Sequence, residues 1–182
     1  RRSMLAWLDQ KGRLQPIVSS WNGAIPQLPS RTFAELAVGG RVAVWGKVMG
    51  PWTLSYHMAG TQNFLLALGM GETEKITKML RQLMPATIAF INAQFSAGAD
   101  IVVIADHATG NLVGPYHYEE HLLPIHQEIS AQAVGPLILH VCGDCSDRLE
   151  LFAKSGVDGY HFEWQVDARE AVDRVGSQIS LV

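Results

Sequence analysis

The chain has 182 residues, of which 48% are hydrophobic and 17% charged, and its formal net charge is −3 at pH 7. This length is typical of one domain with a sizeable core, and the composition excludes disordered, low-complexity and collagen-like chains. The small negative charge gives no reason to expect nucleic acid or an anionic membrane surface as a partner. Two cysteines cannot form a disulfide framework, so we expect a reducing compartment, namely the cytoplasm.

The first part of the chain carries weak patterns. Residues 4–8 indicate a short helix, residues 15–31 a loop rich in proline, and residues 32–36 one helical turn. No apolar run approaches the roughly 20 residues that a membrane-spanning helix needs. The chain begins with Arg1 rather than Met, and we therefore expect it to be part of a longer protein.

From residue 42 onward, predicted strands alternate with predicted helices. The strand segments are short and mostly apolar, as in strands that are covered on both faces, and they span residues 42–48, 100–105, 136–141, 159–163 and 179–182. The helices predicted between them span residues 52–68, 72–97, 116–133, 146–155 and 168–175. Pro85 is expected to kink or split the second of these helices, because proline removes a backbone donor.

This alternation predicts an α/β fold in which the five strands are parallel neighbours in chain order. The units are too few for a closed (β/α)₈ barrel, which typically needs about 250 residues. We therefore predict part of a TIM-like barrel, forming a single, incomplete domain over residues 1–182. A complete five-stranded, doubly wound domain is the alternative.

The sharpest chemical motif is HVCGDC at residues 140–145. His140 and Cys142 lie two apart at the carboxyl end of a predicted strand, so their side chains point the same way. Sites of α/β proteins assemble at that edge, and an imidazole with a thiolate is a natural zinc pair. Two alternatives remain open. One is a buried histidine beside an inert thiol, and the other is a redox pair of Cys142 and Cys145.

Acidic and histidine side chains end the neighbouring strands. Glu163 closes the next strand, where parallel pairing places it beside His140 and Cys142 as a further ligand or a base. A surface acid paired with Lys or Arg is the alternative. Asp106 and His107 end the preceding strand, where they could bind substrate or donate protons, or simply be solvated.

A second motif has the spacing of a metallopeptidase site. Residues 117–121, HYEEH, match the H-x-x-E-H pattern of inverted zincins. We reject the peptidase interpretation because the motif lies in the first turn of a predicted helix, where its acids suit the helix dipole. In addition, no separate helix supplies an obvious third ligand. Gly-rich phosphate-binding motifs and a GxSxG elbow are absent from the sequence.

Three segments, in this order, resemble the uroporphyrinogen decarboxylase superfamily. They are GPWTL at 50–54 with HMAG at 57–60, AGAD at 97–100 with Asp106, and GP at 114–115 with YEE at 118–120 and LP at 123–124. The resemblance extends from about residue 42 to residue 182. It implies a TIM-like barrel and supports the prediction of a partial one.

Within that superfamily, HVCG at 140–143 resembles the H-x-C-G motif of zinc-dependent methylcobamide:coenzyme M methyltransferases, whereas the decarboxylases need no metal. The resemblance implies that His140 and Cys142 bind Zn²⁺ together with a cysteine far downstream. Glu163 matches the acid that can occupy the open position. No such cysteine precedes Val182, and Cys145 lies on the wrong side of a turn to replace it.

The implied reaction moves a methyl group from a methylated corrinoid, carried by a separate corrinoid protein, to a small thiol such as coenzyme M. We assign Glu163 and Asp106 as candidate catalytic residues. The candidate substrate-binding residues are Trp52, His57 and His107. A decarboxylase-like lyase acting on a tetrapyrrole and a non-catalytic, corrinoid-binding or oligomerising barrel are the alternatives.

The parallel arrangement makes a geometric prediction about these residues, because each of them follows or closes a strand. We expect them to converge on one cleft at the carboxyl ends of the strands: Pro51, Trp52, Asp106, His140, Cys142 and Glu163. The sequence does not indicate an oligomeric state.

Overall fold

The computed structural model of the chain describes residues 6–8, 14–16 and 43–182. The strands are β1 (Ala6–Leu8), β2 (Leu14–Pro16), β3 (Trp45–Met49), β4 (Ile101–Ala105), β5 (Leu137–His140), β6 (Gly159–His161) and β7 (Ser180–Leu181). β1 and β2 pair antiparallel, so the helix predicted over residues 4–8 is wrong for its described part. The helical turn expected at 32–36 and most of the loop expected at 15–31 lie outside the described residues.

The helices are α1 (Pro51–Ala59), α2 (Thr61–Gly69), α3 (Thr73–Ser96), α4 (Pro115–His117), α5 (Leu123–Gln132), α6 (Leu149–Ala153) and α7 (Ala168–Val175). A π-helical turn, Tyr118–Leu122, joins α4 to α5, and a 3₁₀ turn, Ser146–Arg148, precedes α6. The helix predicted over 52–68 is divided at Gly60, whose φ of 83° cannot continue a right-handed helix. α3 runs through Pro85 without ending there.

The second sheet has the strand order β3-β4-β5-β6-β7, and every neighbouring pair is parallel. This confirms the prediction of parallel neighbours in chain order. A doubly wound sheet reverses its strand order at a switch point, and this sheet does not, so that alternative is wrong. Right-handed crossovers that always step in one direction place their helices on one face of the sheet, as in a TIM barrel.

The hydrophobic core lies between the sheet and these helices. In β4, Val102 and Ile104 are fully buried, while Ile101, Val103 and Ala105 are only partly buried. The strand therefore has one helix-covered face and one face that we call the open face. The pairing register runs across the open face in a single row: Met49, Ala105, His140 and His161.

None of the helices in the described ranges combines the length and the hydropathy needed to cross a bilayer.

Candidate metal centre at the carboxyl ends of the strands

His140 is the last residue of β5, and its ring has two defined neighbours. Its Nδ1 lies 3.2 Å from the carbonyl oxygen of His161, and its Nε2 lies 3.0 Å from the Sγ of Cys142. Donation of the Nδ1 proton to that carbonyl leaves the Nε2 lone pair directed at the thiol. A backbone carbonyl that orients a histidine in this way is the usual second partner of a metal-binding imidazole.

Glu163 completes a cluster with these two residues. It follows His161 by two positions, so its side chain returns to the same side of the sheet. One ligand atom each from His140, Cys142 and Glu163 lies within 4.8 Å of the others, and all three residues are partly buried. Nitrogen, sulfur and carboxylate oxygen are the donors that Zn²⁺ accepts in proteins, so the residues present fit this ion.

The electrostatics of the cluster favour a cation between its members. Burial lowers the pKa of His140, which keeps the imidazole neutral and able to bind a metal near pH 7. Burial, with the negative charge of Glu163, raises the pKa of the Cys142 thiol, although Lys47 acts in the opposite direction. A carboxylate beside a thiol disfavours the thiolate, whereas a bound dication would stabilise it.

The turn after Cys142 depends on a glycine. Gly143 has φ 84°, and a Cβ at this position would collide with the side chains of Asn111 and Thr109. The Asn111 Oδ1 accepts a hydrogen bond of 3.0 Å from the backbone N–H of Asp144. The loop that follows β4 thereby holds the loop that carries Cys142.

Arg148 fixes the same two loops, and sequence reasoning missed it. Its side chain is fully buried and donates to the carbonyl oxygens of Ala108, at 2.8 Å, and Val113, at 2.6 Å. Asp147 accepts from the same guanidinium at 2.8 Å. A single arginine in a turn has no characteristic spacing, so nothing in the sequence distinguishes it from a surface residue.

The structure does not bring Asp106 to this cluster, and the prediction of a shared cleft is wrong for it. The residue before it, Ala105, shares the open face with His140, so Asp106 faces the helices and is 1% exposed. Its Oδ1 accepts from the backbone N–H of Thr53 at 2.7 Å, and its Oδ2 lies 3.0 Å from the Nε2 of His126.

Tyr118 extends this buried arrangement, since its hydroxyl lies 2.9 Å from the Nδ1 of His126. Asp106, His126 and Tyr118 therefore form a polar chain beneath the helices, with one hydrogen bond between each pair of neighbours. Sequence reasoning missed this chain, because its members lie on three different elements and share no period.

The candidate substrate-binding residues are divided between the core and the surface. Trp52 is 0% exposed and packs edge-on against Phe64 and Tyr56, so the prediction that it lines a cleft is wrong, and Pro51 is buried beside it. His57 and His107 are exposed, and the His107 ring lies 6.3 Å from that of Tyr56. Neither histidine belongs to the metal-binding group.

Cys145 is also separate from the cluster. It is fully buried, its Sγ lies 3.9 Å from the carbonyl oxygen of Cys142, and both cysteines are free thiols in the structure. Burial raises the pKa of the Cys145 thiol, which makes it a poor nucleophile.

The fold and the site thus define a TIM-like α/β protein with a histidine, a cysteine and a glutamate gathered at the carboxyl ends of its strands. Residues 27–182 match the family model described as uroporphyrinogen decarboxylase (URO-D), and the chain belongs to this family.

Its relatives carry two kinds of enzyme name. The chain is 33% identical over 157 residues to a uroporphyrinogen decarboxylase of Coxiella burnetii, with 80% of this chain and 43% of the relative covered. It is 31% identical over 148 residues to a methylcobamide:CoM methyltransferase of Methanosarcina acetivorans, with 79% and 43% covered.

A solved methyltransferase from Methanosarcina mazei superposes with a TM-score of 0.74 at 25% identity, over 81% of this chain and 44% of that one. This likeness confirms the TIM-like α/β fold. The chain spans less than half the length of each of these three relatives.

Proposed function

We propose that the chain belongs to a zinc-dependent methyltransferase that moves a methyl group from a methylated corrinoid to a thiol such as coenzyme M. The observation that carries this proposal is the His140–Cys142–Glu163 cluster, with 3.0 Å between the His140 Nε2 and the Cys142 Sγ. Relatives named methylcobamide:CoM methyltransferase support it.

His140 and Cys142 would hold Zn²⁺ through Nε2 and Sγ. The bound ion would lower the pKa of a substrate thiol, so that its nucleophilic thiolate is present at neutral pH. The carbonyl of His161, 3.2 Å from the His140 Nδ1, would accept the Nδ1 proton and so favour the tautomer that ligation requires. The thiolate sulfur would then bond to the methyl carbon, while the electron pair of the cobalt–carbon bond stays with the corrinoid.

Glu163 has a different role in this proposal from the other two ligands. Its carboxylate would occupy the exchangeable position and be displaced by the incoming thiol, whose proton it would accept. His57 and His107, both exposed, are proposed as contacts to the thiol substrate or to the corrinoid. A corrinoid protein is the proposed partner, and Asp106 has no part in the chemistry.

Decarboxylation of a tetrapyrrole is the second candidate function. The 33% identity to a protein named uroporphyrinogen decarboxylase favours it. It predicts that removal of metal leaves the activity unchanged and that Cys142 and His140 can be replaced without loss of turnover.

The test compares methyl transfer from methylcobalamin to coenzyme M in the full-length protein and in H140A, C142A and C145A. We expect turnover to fall to background in the first two variants and to persist in C145A, the matched cysteine control. Glu163→Gln should change the KM for the thiol, while the zinc content stays close to that of the unmodified protein. Wild-type turnover in H140A and C142A would contradict the proposal, and metal-independent decarboxylation in both would support the second candidate.

A further inference from the structure

A second group of metal-binding side chains lies on the helical segment formed by α4 and the π-helical turn. One ligand atom each from His117, Glu120 and His121 lies within 4.8 Å of the others. The two imidazole rings are stacked, with centroids 6.2 Å apart and an angle of 11° between their planes. The two imidazoles and one carboxylate of the HYEEH motif therefore lie close together. Glu120 is the third candidate ligand, which sequence reasoning did not identify.

The π-helical turn gives this group its geometry. Residues four apart lie close to one face in both an α-helix and a π-helix, so His117 and His121 stay side by side across the junction. Glu120 then comes within reach of the second ring, with 3.5 Å between its Oε2 and the Nε2 of His121. π-helical turns occur frequently at functional sites.

The surroundings of His121 suit a metal-binding imidazole. It is 3% exposed, and burial lowers its pKa, which keeps the ring neutral near pH 7. Its Nδ1 lies 3.2 Å from the hydroxyl of Thr77 on α3. When Nδ1 donates its proton to that hydroxyl, the Nε2 lone pair is left facing Glu120, which is the outer-shell arrangement of a metal-binding histidine.

His117 adds an unpaired polar atom. Its Nδ1 is shielded from solvent and has no hydrogen-bond partner among the described residues. A buried polar atom without a partner is unfavourable, because it has lost its hydrogen bonds to water and gained none in return. Rotation of the ring towards a shared ion, or ligation itself, would pair one nitrogen of this histidine.

We propose that His117, Glu120 and His121 form a second metal site, which takes a first-row divalent transition-metal ion such as Zn²⁺ or Co²⁺. Imidazole and carboxylate ligands suit these ions, and three protein ligands leave one position for water. The site uses none of the residues of the His140 cluster, so the proposal does not depend on the proposed function. It is a binding site rather than a peptidase centre, because Glu120 is itself a member of the ligand group.

The test uses the full-length protein with H140A and C142A substitutions, which remove the first cluster. Zn²⁺ is titrated by calorimetry, and the ¹⁵N resonances of the histidine rings are followed by NMR. The variants added to this background are H117A, H121A and E120Q. Glu119→Gln is the matched control, since Glu119 is an exposed neighbour outside the group.

We expect the background protein to bind one zinc ion at this site, with shifts in the ring nitrogens of His117 and His121. H117A and E120Q should weaken binding at least about tenfold, whereas E119Q leaves it unchanged. His117 and Glu120 are partly or fully exposed, so H117A and E120Q should fold normally. These two variants test the proposed site even if H121A, which replaces a buried residue, fails to fold. No zinc uptake by the background protein, or equal affinity in H117A and E119Q, would overturn the proposal.

Discussion

Without a bound metal, Cys142 and His140 differ in what they must lose before they can act as ligands. The lowered pKa of His140 means that the imidazole is already neutral at pH 7, and the raised pKa of Cys142 means that the thiol keeps its proton there. Metal binding must therefore release one proton from Cys142 and none from His140. The pH dependence of metal affinity reports this asymmetry.

We predict that zinc affinity rises with pH between about pH 7 and pH 8, because binding removes the proton of the Cys142 thiol. Titrations against a competing chelator at several pH values, in H117A protein that lacks the second proposed site, measure this slope. Cys142→Ser should make this slope shallower, and Cys145→Ala should leave it unchanged. A flat slope in the unmodified cluster would show that no thiol is deprotonated on binding.

The surroundings of the Asp106 carboxylate depend on the alternation of side chains between the two faces of the sheet. It lies next to Ala105, which shares the open face with His140, and alternation sends the Asp106 side chain to the helix-covered face. There it satisfies the Thr53 N–H and the His126 ring. From these contacts we expect Asp106 to stabilise the fold.

Asp106→Ala should lower the free energy of unfolding by about 3 kcal/mol, since it leaves two buried donors without an acceptor. Denaturant unfolding measures the change, and Asp173→Ala, at an exposed position, is the matched control and should have little effect. Equal stability of the two variants would show that the polar chain through His126 and Tyr118 contributes nothing.

At the scale of elements, Gly60 separates α1 from α2 because its φ of 83° and ψ of 134° are accessible mainly to glycine. Gly60→Ala should cost about 1–3 kcal/mol in unfolding free energy, although its Cβ would have room. Gly69→Ala is the matched control: it ends α2, a Cβ there meets nothing within 4 Å, and alanine favours the helix. A Gly60→Ala protein as stable as Gly69→Ala would contradict this account of the break.

The elements that sequence reasoning predicted well are those with a strong period. The continuous apolar strands and the amphipathic helix over Ala168–Val175 follow from residue patterns alone. The break at Gly60 and the π-helical turn after His117 do not, because both depend on backbone conformations that leave the period nearly unchanged. The helix predicted over residues 4–8 is wrong for a related reason, since the three residues of the strand Ala6–Leu8 are too few to show a period.

In the candidate site, too, sequence reasoning identified the residues that follow a strand period and missed those that do not. His140, Cys142 and Glu163 come together because each lies an even number of residues from a paired position on the open face, and parity can be counted in a sequence. Asp106 follows Ala105, which pairs with His140, so its side chain points to the opposite face, and the sequence does not show this register between neighbouring strands. Arg148 and Asn111 act through loop contacts that no local pattern encodes.

At the scale of the whole molecule, the site depends on loops that successive parallel strands bring to one edge. Arg148 links the loop after β4 to the turn before α6, which leaves the Cys142 loop between two fixed points. We therefore expect the rigidity of the candidate metal centre to depend partly on Arg148, which is not one of its three candidate ligands.

Arg148→Ala should destabilise the fold by about 3–5 kcal/mol, because the carbonyls of Ala108 and Val113 and the carboxylate of Asp147 lose a buried partner. It should also weaken zinc binding at least about tenfold, in protein still folded at low temperature. Arg169→Ala, at an exposed position, is the control. If zinc affinity in folded R148A equals that of R169A, the loops do not need this arginine to position Cys142.

The proposed function requires a substrate thiol to bind a metal ion held by His140 and Cys142. The most direct measurement is the number of sulfur ligands to zinc, determined by X-ray absorption on full-length H117A protein before and after addition of coenzyme M. We expect one additional sulfur at about 2.3 Å and the loss of one oxygen ligand as Glu163 is displaced. A zinc shell that coenzyme M leaves unchanged, or one that contains the same number of sulfurs in Cys142→Ala, would contradict it.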